Sequence, residues 1–207
     1  MTTTGTETID WRNCQPVELT DILRHSSEAF YEHGFHGTTV RDIAARVGVT
    51  VPALYYHHEN KEAILVAVLG AAIADLQVRG EAAIADAGDD PVQQMANLVE
   101  SVTLHLTVRA RLAALDSEYR YLSADARMPY AEVRKANELL TRSVIDRGVE
   151  AGVFHVDDTA EATRALLGML QAIPRWYVDS GPLTPADVAT RYVGLSLALL
   201  GATPRKD

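Results

Sequence analysis

Between Val40 and Val47 the apolar residues Val40, Ile43, Ala44 and Val47 recur at the spacing of one helix face. Thr39 stands just before them and Asp42 follows three residues later. That pair closes a helix start, because the hydroxyl takes a backbone N–H that has no partner in the first turn. Gly48 ends the pattern, where a positive φ is cheap. A second short helix follows. Thr50 can cap it, Pro52 sits in a first turn that needs no N–H, and Ala53, Leu54 and Tyr55 carry it to about His57. A helix, a tight turn containing Gly and a second short helix form the helix-turn-helix plan, whose second helix enters a DNA major groove.

The same periodicity organises the rest of the chain. Leu19, Ile22, Leu23, Ser26, Ala29 and Phe30 predict a helix from about Pro16 to His33, with Gly34 as its stop. A long helix runs from Lys61 to about Ala87, carrying Ile64, Leu65, Val68, Leu69, Ala72, Ile73 and Leu76 inward, until Gly88-Asp89-Asp90-Pro91 breaks it. Further helices are expected at about 92–107, 109–121, 129–150 (opened by Pro129), 160–178 and 184–200. No strand-like alternation competes with helix after Pro91. The expected fold is therefore all-α with about nine helices. Residues 1–15 form a disordered N-terminal arm, 16–60 a three-helix helix-turn-helix DNA-binding domain, and 61–207 a helical effector-binding and dimerisation domain. The helix at Lys61 joins the two units without a flexible linker.

The last two helices are apolar over more than one face. Ala162, Ala165, Leu166, Met169, Leu170, Ile173 and Trp176 lie on one; Val188, Tyr192, Val193, Leu195, Leu197, Leu199 and Leu200 lie on the other. A two-fold, four-helix interface would cover them, which predicts a homodimer.

Charge changes the picture only locally. The net charge is −9, and residues 1–60 contain four arginines, no lysine and eight acids, so the DNA-binding domain as a whole is not basic. Within 38–61, Arg41, Arg46 and Lys61 outnumber Asp42 and Glu59, which predicts modest non-specific affinity and specificity from a few placed contacts. The absence of any run of about eighteen apolar residues predicts no membrane span. A polar N-terminus and a single cysteine, Cys14, point to a cytoplasmic protein. There is no Gly-rich phosphate loop, G-x-S-x-G, C-x-x-C or H-E-x-x-H, and adjacent His57 and His58 face different ways on a helix. No catalytic, metal or cofactor site is expected. The alternative is a small helical enzyme, with His105, Glu118 and Arg120 as polar groups in an apolar pocket, or an interaction module without sequence-specific DNA binding.

The segment TTVRDIAARVGV…LYYHHENKEAIL, within Leu19 to Leu65, resembles the DNA-binding region of the TetR family of bacterial transcriptional repressors. His58 stands where that family usually has Phe or another apolar residue. The resemblance implies a dimer on a palindromic double-stranded operator. It places Thr39, Arg41, Thr50, Tyr55, Tyr56, His57 and Lys61 at the DNA, with Thr50, Tyr55, His57 and Lys61 mainly on phosphates. Arg41, Val51, Pro52, Ala53 and Tyr56 fall nearest base edges. The string RWYVDSGPLTPADVATRY (175–192), together with EAGVF (150–154), is similar to a TetR subgroup that controls lipid and steroid catabolism and responds to acyl-CoA thioesters.

An apolar cavity is expected between the helices at 92–107, 109–121, 129–150 and 160–178. The expected lining is Val99, Val102, Leu106, Leu115, Tyr119, Val133, Leu166, Met169, Leu170 and Ile173, with Trp176 nearby and His105, Glu118 and Arg175 as orienting polar groups. The expected effector is a small hydrophobic molecule, an acyl-CoA thioester first, with Arg109, Arg111, Arg120 and Arg175 as phosphate partners. Effector binding would favour a conformer whose two recognition helices no longer match successive major grooves, about 34–36 Å apart.

Overall fold

The computed structural model describes residues 9–202 and shows helices with no strand among them. The DNA-binding unit holds α1 (Asp21–Gly37), α2 (Val40–Val47) and α3 (Val51–His57). The second unit holds α4 (Lys61–Ile73), α5 (Leu76–Asp86), α6 (Pro91–Val108), α7 (Ala110–Ala114), a 3-10 segment (Leu115–Tyr121), α8 (Ala124–Glu150), α9 (Thr159–Gln171), α10 (Ile173–Trp176) and α11 (Pro185–Leu199). All nine predicted segments are helical, and three of them are subdivided.

Four departures from the predicted boundaries have a visible cause. The helix expected from Pro16 begins at Asp21, where the Thr20 hydroxyl accepts from the Leu23 N–H at 3.4 Å. The helix expected to run unbroken from Lys61 divides at Ala74–Asp75, where the Asp75 carboxylate is held by Arg109. The helix expected over 160–178 divides ahead of Pro174, which lacks the N–H that would continue the ladder. The helix expected to open at Pro129 starts five residues earlier. Ser123 donates its N–H and hydroxyl to Glu62 on α4, at 3.2 and 2.7 Å, and the helix then runs through Pro129.

Two apolar clusters form the core. The first packs Phe30, Phe35, Ile43 and Leu54 of the DNA-binding unit against Ile64, Leu65, Val68 and Leu69 of α4, with Leu115, Leu122 and Tyr130 closing it. Residues 61–86 are long and apolar enough to pass for a membrane span by composition, yet five residues of α4 are buried inside the protein. The second cluster joins α6, α8, α9, α10 and α11 through Met95, Leu98, Val144, Ile145, Leu166, Ile173 and Val188. Phe154 caps α8 over Gly148, where any Cβ would overlap its ring.

The expected disordered arm is corrected in part. Residues 1–8 lie outside the described residues, but 9–15 form a strap on the second unit. Trp11 is only 4% exposed and donates its indole N–H to Asp86 at 3.2 Å. Arg79 donates to the carbonyls of Trp11 and Asn13. Arg12 lies over the Trp11 ring and pairs with Glu100 at 3.0 Å. Arg109 reaches the Gln15 carbonyl at 3.0 Å. Cys14 is half-buried in the strap, and burial pushes its thiol pKa up.

Because the indole is buried and the buried Arg79 and Arg109 hold three strap carbonyls, while the Arg12 pairs face water, Trp11 and those two arginines anchor the strap and Arg12 adds little. Trp11→Ala is expected to lower the unfolding free energy by roughly 3 kcal/mol, and Arg12→Ala by less than about 1 kcal/mol. Urea titration of the two variants against wild type checks both values. Equal losses would assign the anchoring to charge instead.

Candidate functional site

The DNA-facing surface is built by two capped helices. The Thr39 hydroxyl accepts from the Asp42 N–H at 3.2 Å, while the Asp42 carboxylate accepts from the Thr39 hydroxyl at 2.6 Å and its N–H at 2.9 Å. Those bonds hold the Asp42 carboxyl below its ordinary pKa. Gly48, at φ 80°, turns the chain, and the Thr50 hydroxyl caps α3 by accepting from the Ala53 N–H at 3.3 Å. Leu54 is fully buried and seats α3, so its neighbours project outward.

Thr39, Arg41, Thr50, Pro52, Ala53, Tyr55, Tyr56 and His57 are all exposed, and Tyr56 reaches 88%. Two predicted contacts sit differently. Val51 is half-buried against the first core cluster. Lys61 is turned inward onto the end of α1, donating to the Phe35 carbonyl at 2.6 Å and the Thr38 carbonyl at 2.8 Å and lying 4.2 Å from the Phe35 ring. Desolvation lowers its pKa. Lys61 therefore closes a helix end in the folded protein, a role its position at a helix start did not reveal. Of the other cations here, Arg46 is tied to Glu32 at 2.6 Å, whereas Arg41 has no ion-pair partner among the described residues.

The second unit contains a cavity of about 440 Å³ walled by α6, α7, the 3-10 segment, α8 and α9, with Ala72, Ile73, Leu76 and Pro174 closing its ends. It brings together Val102, His105, Leu106, Tyr119 and Leu170 from the predicted set. The remaining predicted lining residues lie elsewhere. Val99, Leu166 and Ile173 are packed in the second core cluster, and Leu115 belongs to the first. Val133 lines a second, smaller pocket beside Val66 and Pro129, which shares Ile73 and Tyr130 with the cavity. Met169 is half-buried on α9 outside the cavity wall. Arg175 and Trp176 are exposed on α10, where Trp176 stacks on Tyr192 with ring centres 6.1 Å apart. Glu118 faces the DNA-binding unit and accepts from the Phe35 N–H at 2.7 Å.

The polar lining that sequence reading missed comes from α8 and the 3-10 segment. Asp116 accepts from the Tyr130 hydroxyl at 2.7 Å and from Arg134 at 2.6 Å. Burial, and then the Asp116 charge, push the Tyr130 pKa up. Exposed Lys135 and Arg164 line the solvent side, with Glu138 and Gln171 beside them. Tyr130, Arg134, Asn137, Glu138 and Thr141 share one stripe of α8, a helical polar row that reading only the apolar positions of α8 passed over. Three of the four arginines expected to meet phosphates are engaged elsewhere, and Arg175 lies outside the cavity wall. Arg109 is paired with Asp75, while Arg111 lies over the Tyr31 ring and Arg120 over the Tyr121 ring.

His105 is 2% exposed on the cavity wall. Burial, reinforced by the Arg109 charge, lowers its pKa from 6.5 to about 4. The unfolded chain takes up this proton near pH 6.5 and the folded chain only near pH 4. Across that window the unfolded state binds more protons, so acidification from 6.5 towards 4 removes stability, up to roughly 3 kcal/mol from this group. Chemical denaturation across that range should show a shallower pH slope for His105→Gln than for wild type. Identical slopes would mean that His105 does not carry the effect.

Residues 22–68 match the family model for bacterial regulatory proteins of the tetR family, and residues 88–200 match the tetracyclin repressor-like C-terminal domain. The HTH-type transcriptional repressor KstR2 of Rhodococcus jostii (strain RHA1) is 29% identical over 180 residues, covering 86% of this chain and 88% of that one. The structure of PfmR, a TetR family transcriptional regulator from Thermus thermophilus, aligns with a TM-score of 0.77 at 31% identity over 89% of this chain and 99% of PfmR. AibR, solved in complex with isovaleryl coenzyme A and operator DNA, shares the fold with a TM-score of 0.76 at 21% identity over 88% of this chain and 97% of AibR. With its capped helix-turn-helix joined to a hollow helical second unit, this chain belongs to the TetR family of bacterial regulatory proteins.

Proposed function

We propose that this protein is a cytoplasmic, ligand-responsive transcriptional repressor. It acts as a homodimer that binds a palindromic operator through α2 and α3 and leaves it when a small hydrophobic effector fills the cavity of the second unit. The observation that carries the reading is the 3-10 segment. One side of it, Asp116 and Tyr119, forms cavity wall, and the other, Leu115 and Glu118, is bound into the DNA-binding unit. A cavity occupant therefore touches the element that holds α1. The family's DNA-binding character sets the enzyme alternative aside.

On the DNA side, the proposed contacts are Thr39, Arg41, Thr50, Pro52, Ala53, Tyr55, Tyr56 and His57, all exposed, with Val51 at the edge of the face. Lys61 keeps one N–H for a phosphate after its two bonds to carbonyls.

The effector class is an acyl-CoA thioester. An apolar chamber of about 440 Å³ suits an acyl group. Arg134, Lys135 and Arg164 line it, each paired with a carboxylate (Asp116, Glu138 and Glu161), and are the cations that the phosphates of a coenzyme A tail would draw from those pairs. AibR, which shares this fold, was solved with isovaleryl coenzyme A bound, which supports a coenzyme A thioester as the effector class. Selecting operator fragments from a random DNA pool, then titrating the complex with acyl-CoA thioesters, free acids and free coenzyme A, tests the reading. Release by a thioester alone supports it. Release only by an uncharged drug-like molecule would keep the repressor and discard the acyl-CoA.

Arg41→Ala should weaken operator binding by roughly 1–3 kcal/mol and relax one base position. Tyr56→Ala should also weaken binding while the fold is kept, because Tyr56 is almost fully exposed. Wild-type affinity for both variants in a gel-shift titration would move the contact face elsewhere.

The dimer would form through α9 and α11. Leu195 is 53% exposed, and Leu199 is exposed one turn further along α11. Leu195→Glu would bury an unpaired charge in that interface and should yield monomer in sedimentation. A wild-type monomer at micromolar concentration would overturn the interface.

A further inference from the structure

The cavity wall carries a ring nitrogen with no hydrogen bond to a described residue, Nε2 of His105. His105 sits on α6 among Leu98, Val102, Leu106 and Leu112 of the cavity wall. Its Nδ1 lies 3.3 Å from Nη1 of Arg109. A guanidinium has only N–H donors, so Nδ1 must be the acceptor in that contact. The ring is neutral at physiological pH, because burial keeps its pKa near 4. Its single proton therefore belongs on Nε2.

No acceptor for Nε2 exists among the described residues. The carboxylates of the cavity are engaged elsewhere: Asp116 with Tyr130 and Arg134, and Glu138 with Lys135. Asp75 is clamped by Arg109 and stands on the Nδ1 side, 4.0 Å from that atom. An N–H with no protein acceptor is left to donate to an occupant, and here it borders the apolar side of the chamber, beside Leu98, Val102 and Leu106 and across from the polar row of α8.

We propose that the Nε2–H of His105 is the donor that reads a carbonyl oxygen of the effector, and that Arg109 is the positioning residue that fixes the imidazole tautomer. This rests on the effector reading above and deepens it. The chemistry selected is a neutral carbonyl at the depth of His105, carried by a thioester or ketone, over the matching compound without that oxygen. Arg109 is in turn fixed by Asp75 at the α4–α5 break and by the Gln15 carbonyl, so the ring and its tautomer are set before ligand arrives.

The test uses matched pairs that differ only at the carbonyl. These are isovaleryl-CoA against S-isopentyl-CoA, octanoyl-CoA against S-octyl-CoA, and the bicyclic ketone 1-tetralone against tetralin. Calorimetry on the full-length protein reads the affinity ratio in each pair. Wild type should prefer the carbonyl member of at least one pair by roughly tenfold. His105→Leu should bring that ratio close to one, and His105→Gln, which keeps a side-chain N–H donor, should retain most of it. Nitrogen NMR of wild type against His105→Gln should show a bare Nδ1 and a protonated Nε2, and Arg109→Leu should lose that fixed tautomer. A preference in the ketone pair with no binding of any coenzyme A compound would keep the carbonyl donor and discard the acyl-CoA reading. Equal affinities in every pair, or a preference that survives His105→Leu, would overturn the donor role whatever the effector is.

Discussion

The structure depends on how the chain is held at the corner between α1 and α2. Gly34 takes a positive φ of 70° and bends the end of α1. The Thr38 hydroxyl then donates to the carbonyls of Ala29 and Gly34, at 3.0 and 2.9 Å. The carbonyls of Phe35 and Thr38 accept from Lys61 at the start of α4, and the Phe35 N–H donates to Glu118 of the 3-10 segment. One backbone corner is thus gripped from two directions by the second unit. Orphan groups at a helix end must find partners, and here the partners come from the elements that line or adjoin the cavity. Rings reinforce the grip: His36 meets Tyr121 with centres 4.4 Å apart, and Phe30 and Phe35 pack together at 5.8 Å.

This arrangement explains how an acidic protein can present a DNA face. Arg46 is neutralised by Glu32, and Lys61 spends two N–H donors on backbone. What remains is Arg41, a set of hydroxyls and aromatic rings, and the positive end of short α3. Such a face depends on placement more than on total charge, so the orientation of α2 and α3 matters more than in a strongly basic module. Anything that moves the Phe35–Thr38 corner should therefore be felt in operator affinity.

The helix-turn-helix was legible because its signals are local. Thr39 with Asp42, Gly48 and Thr50 with Pro52 each fix a cap or turn within four residues, and the structure shows those caps. The second unit was legible as helices but not as a cavity. Residues of one helix that share a face can be read from spacing, yet whether Val99 or Val102 meets a void depends on the neighbouring helix. The clearest errors were polar. Glu118 and Arg175 were assigned to the cavity by residue type, whereas Asp116, Arg134, Lys135 and Arg164 line it. The strap at 9–15 was missed because Trp11 and Arg12 look like tail residues until Arg79, Asp86 and Glu100, far along the chain, are brought beside them. Pro174 is the exception, a local signal that was present and passed over.

If the 3-10 segment transmits occupancy of the cavity to α1, then Glu118 should govern coupling and not ligand binding. The direct measurement is the ratio of operator dissociation constants with and without a saturating acyl-CoA effector, in wild type and in Glu118→Ala. Ligand affinity is measured in parallel. The account predicts that Glu118→Ala still binds ligand and operator separately, while the ratio falls from its wild-type value towards one. A ratio unchanged from wild type, in a variant that binds both, would contradict transmission through the Glu118–Phe35 bond.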